Sequence, residues 1–177
     1  VTFGKTYELK TLFNTSYAQK NWMHVPISTS EKPRNHLDWI LFVYRLSPVL
    51  ELVWVDPENG NVVLHEHSIH SVQSLETLHG SSMFISETKN SYLGFVHTRK
   101  HHPVTNDHLL INIYHSYLIR LTKRLTTGNY SWQWTMTHKT QPLPIPVAKD
   151  KPADRIHFVT TLTKHGSEFW ITMGNMD

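Results

Sequence analysis

The chain has 177 residues, 39% hydrophobic and 18% charged, with 17 Lys+Arg against 14 Asp+Glu and a formal charge of +3. It has no Cys, which excludes a disulfide framework, a thiolate nucleophile and Cys-ligated zinc or iron–sulfur centres. The basic residues are scattered, so no stripe for nucleic acid forms, and the apolar runs fall far short of the ~18 residues a membrane helix needs.

Period-2 patterns and turn signals dominate the chain. Trp39–Tyr44 is a β-branched and aromatic run after the polar stretch Ser28–Asp38, and predicts a mostly buried strand. Leu50–Val55 and Val62–Leu64 flank Asp56–Asn61, whose Asn59-Gly60 dipeptide is a strong hairpin signal because both residues tolerate positive φ. Ser82–Ile85, Tyr92–His97 and His108–Tyr114 read as three successive strands, with Lys89-Asn90-Ser91 as a tight turn between the first two. Tyr117–Leu125 suits a strand or a short helix. Trp132–Met136 is an alternating strand after the turn Thr127-Gly128-Asn129. Gln141–Pro152 is Pro-rich and predicts a loop or linker. Ile156–Leu162, His165-Gly166-Ser167 and Glu168–Met173 read as a second hairpin.

No pattern predicts a helix of ten or more residues, and the expected class is all-β, a sandwich or a propeller. A polar turn followed by an aromatic-rich strand recurs at Asp38–Tyr44, Ser91–His97 and Ser167–Met173, starting 53 and then 76 residues apart. The first spacing suits a four-stranded propeller blade of ~40–50 residues, the second a blade with an insertion. The length suits one domain over 1–177. Val1 and the apolar approach to Asp177 suggest a piece of a larger fold.

Histidine is the compositional anomaly, at 14 residues. His65-Glu66-His67 has a zinc-protease look, but that chemistry needs two His four apart on a helix. His101-His102, between Arg99-Lys100 and Pro103, is expected in an exposed loop. Asp56–Asn61 is too short for a calcium loop. Phosphate-binding Gly loops and nucleophile elbows are missing, so no metal and no cofactor is expected. The acidic residues sit mainly in turns or among polar neighbours; Asp177, after an apolar strand, is where a propeller would aim a carboxylate at its axis. Three segments keep chemical interest: Lys20-Asn21-Trp22, His79-Gly80-Ser81-Ser82, and His97 at the end of an apolar strand. A Trp face stacks on sugar rings, while Lys, Asn, His and Ser hydrogen-bond to hydroxyls or phosphate.

In order, Lys20-Asn21-Trp22-Met23, Ile40–Tyr44, Asp56–Gly60, His79-Gly80-Ser81-Ser82, Tyr92–His97 and Ile171–Asp177 make a pattern. It resembles the later part of five-bladed β-propeller carbohydrate-active proteins, over about residues 17–177. These glycosyltransferase- or glycosidase-like proteins are similar to β-mannoside phosphorylases and hydrolases, and more distantly to arabinanase and invertase folds. Their pattern runs EKNW-x-PF, HGG(S/T)P, YLGxxH, ISYGxND.

The resemblance implies that Lys20 contacts phosphate and that His97 lines the phosphate or leaving-group side. It implies that Asp177 is a catalytic carboxylate at the rim of the sugar pocket. His79, Gly80 and Ser81 would line the funnel, with His115 near an aromatic-His stretch of the relatives. The chain departs from the pattern at Gln19, at His24-Val25-Pro26-Ile27, and at Ser81 and Met83. The general acid of such propellers comes from an earlier blade, and a closed propeller needs more than ~200 residues. The expectation is therefore about three blades acting on glycosidic bonds, by hydrolysis, phosphorolysis or transfer. Its partners would be a carbohydrate or phosphorylated sugar and the rest of the propeller. The alternatives are a non-catalytic sugar-binding or interaction module, and a β-sandwich with metal-binding surface histidines. The sequons Asn14-Thr15-Ser16 and Asn129-Tyr130-Ser131 would matter only in a secreted protein.

Overall fold

The computed structural model describes residues 22–32, 37–47, 49–68, 77–103, 110–125, 132–144 and 156–176. Lys20, Asn21, Asp177 and both sequons lie outside the described residues. Within them the chain is all-β, with antiparallel pairing throughout and no α-helix; a single 3-10 turn spans Thr29–Glu31.

The strands are β1 (Met23–His24), β2 (Ile40–Arg45), β3 (Leu50–Val55), β4 (Val62–Ser68), β5 (His79–Gly80) and β6 (Ile85–Thr88). They continue as β7 (Ser91–Pro103), β8 (Leu110–Leu125), β9 (Trp132–Lys139), β10 (Ile156–His165) and β11 (Glu168–Met176). Sheet 1 has the order β1-β2-β3-β4. Sheet 2 has the order β5-β7-β8-β9, with β6 also paired to β7. The third unit is the two-stranded hairpin β10-β11.

Both predicted hairpins are present. β3 and β4 are joined through Asp56–Asn61, a longer connection than Asn-Gly alone. Gly60 donates to the Asp56 carbonyl at 2.9 Å and adopts φ 72, a conformation open to Gly at little steric cost. The Asp56 carboxylate accepts from the Glu58 N–H at 2.8 Å, folding the loop as an Asx turn. β10 and β11 meet across Gly166-Ser167, with Gly166 at φ 61 and His165 opposite Glu168.

Elsewhere the strands differ from the sequence reading. The segment Ser82–Ile85 is not one strand, because the Ser82 hydroxyl leaves no ladder there. It accepts from the Phe95 N–H at 2.9 Å, and the strand begins at Ile85. Tyr117–Leu125 is strand, continuous with Leu110–Tyr114 in β8. His101 and His102 belong to β7, not to a loop, since β7 pairs with β8 without interruption from Ser91 to Pro103.

The recurring aromatic runs fall in β2, β7 and β11. β2, β7 and β11 each pair with the first strand of their own unit: β1, β5 and β10. Sheet 1 and sheet 2 share one core, to which Met23, Leu41, Val43, Leu52 and Trp54 contribute from one side. Tyr92, Val96, Tyr117, Ile119, Leu121 and Trp134 contribute from the other. Each such side chain, fully buried, contributes roughly 1.5–3 kcal/mol. Gly94 sits at the closest approach. A Cβ there would come within 2.8 Å of Phe84 Cδ1 and 3.0 Å of Met23 Cε, so only Gly lets β1 and β7 pack this tightly. The other face of sheet 2 carries a smaller cluster, Leu93, Phe95, Val159 and Leu162, with Leu118 and Leu143 against it. Through it the β10–β11 hairpin packs on sheet 2. β11 leaves Phe169, Trp170, Ile171 and Met173 exposed.

One buried polar cluster ties the Thr29–Glu31 turn to sheet 2. Lys123 of β8 is 2% exposed. Its Nζ lies 5.5, 5.0 and 5.8 Å from the ring centres of Tyr92, Trp132 and Trp134. It pairs with Glu31 Oε1 at 2.6 Å, while Glu31 Oε2 accepts from the Ser28 N–H at 3.3 Å. Burial alone would raise the Glu31 carboxyl, but the hydrogen bond and charge of Lys123, aided by Ser28, outweigh it and hold it below the ordinary carboxylate value. The 3-10 turn after β1 is thereby tied to sheet 2.

Candidate functional site

β7 runs without a bulge along β8, so its alternate residues separate cleanly to two faces. Tyr92 and Val96 face the large core, whereas Leu93 and Phe95 face the hairpin. His97 continues the second set. The short strand β5 places His79 directly opposite His97 and Gly80 opposite Val96. The two imidazoles stack with centroids 5.5 Å apart and planes 25° apart. β8 adds Tyr114, whose ring is tilted against His97 at 5.3 Å. Ser116 is the register partner of His97, and Arg99, two residues beyond His97, is opposite Tyr114. His79, His97, Arg99, Tyr114 and Ser116 therefore share one face.

Electrostatics keeps the two imidazoles neutral. His97 is 6% exposed. Its burial, followed by the proximity of His79 and Arg99, lowers its pKa to about 4. His79, half-buried, is lowered by burial and then by Arg99. A neutral imidazole has one donor and one acceptor nitrogen, so near pH 7 the pair can both give and accept hydrogen bonds. Arg99 is exposed beside it and supplies a fixed positive charge. This is chemistry for polar hydroxyls and for an anionic group; it is poor chemistry for a cation. Among the described residues no group of three His, Asp or Glu side chains is placed to hold a metal ion.

Of the residues singled out from sequence, the fold brings three together: His79, Ser81 and His97. The Ser81 hydroxyl donates to the Val159 carbonyl of β10, so it joins the hairpin to this face. His115 does not join them. It is opposite Thr98 in the β7–β8 register, on the face turned toward sheet 1. Trp22 is farther away, on the outer face of sheet 1, with Tyr44 edge-on at 5.2 Å and Phe42 at 5.9 Å. Its indole N–H is buried and has no hydrogen-bond partner among the described residues. Lys20, Asn21 and Asp177 lie outside the described residues.

Tyr114, Ser116 and Arg99 were missed in the sequence reading. Alternation along β7 would have put Arg99 with His97, but Tyr114 and Ser116 join only through the pairing register with β8, which no local pattern encodes. No family model, curated protein or solved structure matches this chain.

Proposed function

We propose that this chain is the later part of a five-bladed β-propeller of about three blades. In this reading it is a carbohydrate-active protein acting on glycosidic bonds, with His79, Ser81 and His97 on the sugar-facing side. Two features support the architecture. The four-stranded sheet 1 and the five-stranded sheet 2 are antiparallel with chain neighbours largely adjacent, and the three units stack in chain order, face against face. A two-sheet sandwich accounts for the first two units but gives no reason for a third stacked on the second.

The observation that carries the function is the neutral, stacked His79–His97 pair beside Arg99. A sugar offers hydroxyls to neutral imidazoles, and a phosphate or a developing leaving-group anion suits Arg99 and, in the resemblance, Lys20. Asp177 would supply a carboxylate to an oxocarbenium-like transition state.

A second reading, sugar binding without turnover, has one observation in its favour. The carboxylates of Glu31, Glu51 and Glu87 are each in an ion pair with Lys123, Arg45 or Arg120. None of the three is offered as an acid facing the histidine pair. The test is calorimetric titration of the chain with β-linked mannobiose, with and without inorganic phosphate, alongside a product assay. Binding that is lost in both His79→Ala and His97→Ala supports the site. Product formation selects the enzyme over the binding module. Undiminished binding in both folded variants, or none in the parent chain, sinks the proposal.

A further inference from the structure

Val159 of β10 is fully buried, and it stands at a β-bulge where the β10–β11 register shifts between Val159 and Thr161. Its two backbone polar groups are both met by side chains of sheet 2. The Val159 N–H donates to Ser116 Oγ at 3.4 Å, and its carbonyl accepts from the Ser81 hydroxyl. A buried backbone group left without a partner is costly, so two hydroxyls aimed at one residue make a specific seat. Ser116 is itself fully buried, and its own carbonyl accepts from the Leu143 N–H at 2.8 Å, which fixes it further.

The place of these serines matters as much as their bonds. Ser116 is the register partner of His97, and Ser81 follows His79 by two residues. The seat for the hairpin is thus built from the immediate neighbours of the two histidines. Around it lie Leu93, Phe95, Leu118 and Leu162, which make contact through apolar area but carry no directional preference.

We infer that Ser81 and Ser116 are positioning residues, which hold the β10–β11 hairpin in register on the histidine face by gripping both polar groups of Val159. The apolar cluster supplies adhesion and the hydroxyls supply the position. A one-residue slip of β10 would present another residue's backbone to the two serines and leave them unmatched. The relevance to activity rests on the reading of His79 and His97 given above; the seat itself does not.

The test is hydrogen–deuterium exchange by mass spectrometry on the whole 177-residue chain, without any sugar. The Ser81→Ala, Ser116→Ala double variant is expected to speed exchange across β10 and β11 at least tenfold, leaving β2 and β3 unchanged. Its His79 and His97 ring resonances should move. Ser81→Ala alone should show part of the effect, and Ser81→Thr, which retains the hydroxyl, should restore the slow exchange. Hairpin exchange equal to the parent in the double variant overturns the proposal. So does a Ser81→Thr that behaves like Ser81→Ala, or a rise spread evenly over both sheets in the single variant. A parent chain that binds no sugar while the serine variants show the expected hairpin exchange would count against the functional reading and not against the seat.

Discussion

On the face of sheet 2 turned toward sheet 1, a cationic side chain is buried with a carboxylate beside it and three aromatic rings around it. On the face turned toward the hairpin, His97 is almost as deeply buried, yet the charges that act on it come from His79 and Arg99, which disfavour a positive charge. Lys123 is accommodated by an opposite charge, and His97 by giving up its proton. The same low-dielectric surroundings produce the two outcomes because the neighbours differ in sign. The first arrangement closes on itself and serves packing. The second stacks two neutral imidazoles beside an arginine, and the proposed function is placed on that face.

The largest effect is expected where breaking a pair strands a charge. Lys123→Ala leaves Glu31 facing three rings without its cation, and should destabilise the fold by about 3–5 kcal/mol in urea unfolding. The double replacement Lys123→Met, Glu31→Gln removes both charges and should recover most of that loss. If Lys123→Ala alone costs less than about 1 kcal/mol, the cluster does not hold the 3-10 turn on sheet 2.

Next in size is the pH dependence arising on the histidine face. The His97 pKa lies near 4 in the fold and near 6.5 in the unfolded chain, so between those values the unfolded state binds more protons. The contribution is therefore complete above pH 6.5 and is lost as pH falls through that window. It amounts to about 3 kcal/mol, and His79 acts in the same direction. His97→Leu should flatten the stability curve between pH 7 and pH 4, while Lys123→Met, Glu31→Gln should leave this part of it intact. An unchanged slope in His97→Leu would assign the acid sensitivity to another group.

The smallest effect is expected from an ion pair that water reaches. Glu87 of β6 and Arg120 of β8 make two 2.7 Å contacts, with Ser91 donating to the same carboxylate at 2.8 Å. The hydrogen bond from Arg120 lowers the Glu87 carboxyl, but both side chains are partly exposed. Arg120→Ala should cost less than about 1 kcal/mol, and less still at high salt. A loss as large as that of Lys123→Ala would remove the distinction between buried and wetted pairs.

Much of the fold was legible because its signals are local. The Asn59-Gly60 and His165-Gly166 turns, the apolar runs of β2, β3 and β7, and the recurrence of aromatic strands each depend on a few consecutive residues. His97 and His79 were also within reach, as polar residues that local strand packing did not require. The Lys123 cluster was not legible, since it gathers Glu31, Tyr92 and the pair Trp132 and Trp134 around Lys123 from three other stretches of chain. Nor could the sequence show that His115 and His97 point to opposite faces, because that depends on the β7–β8 register. The hydroxyl strand break at Ser82 was misread for a similar reason: its partner, the Phe95 N–H, lies on another strand.

The most direct measurement is the titration of the His97 imidazole by NMR in the folded chain. The account predicts a neutral ring at pH 7 with a midpoint near 4, and mannobiose addition at pH 7 that shifts the His79 and His97 ring resonances together. A midpoint near 6.5, or sugar-independent ring signals for both residues, would contradict it.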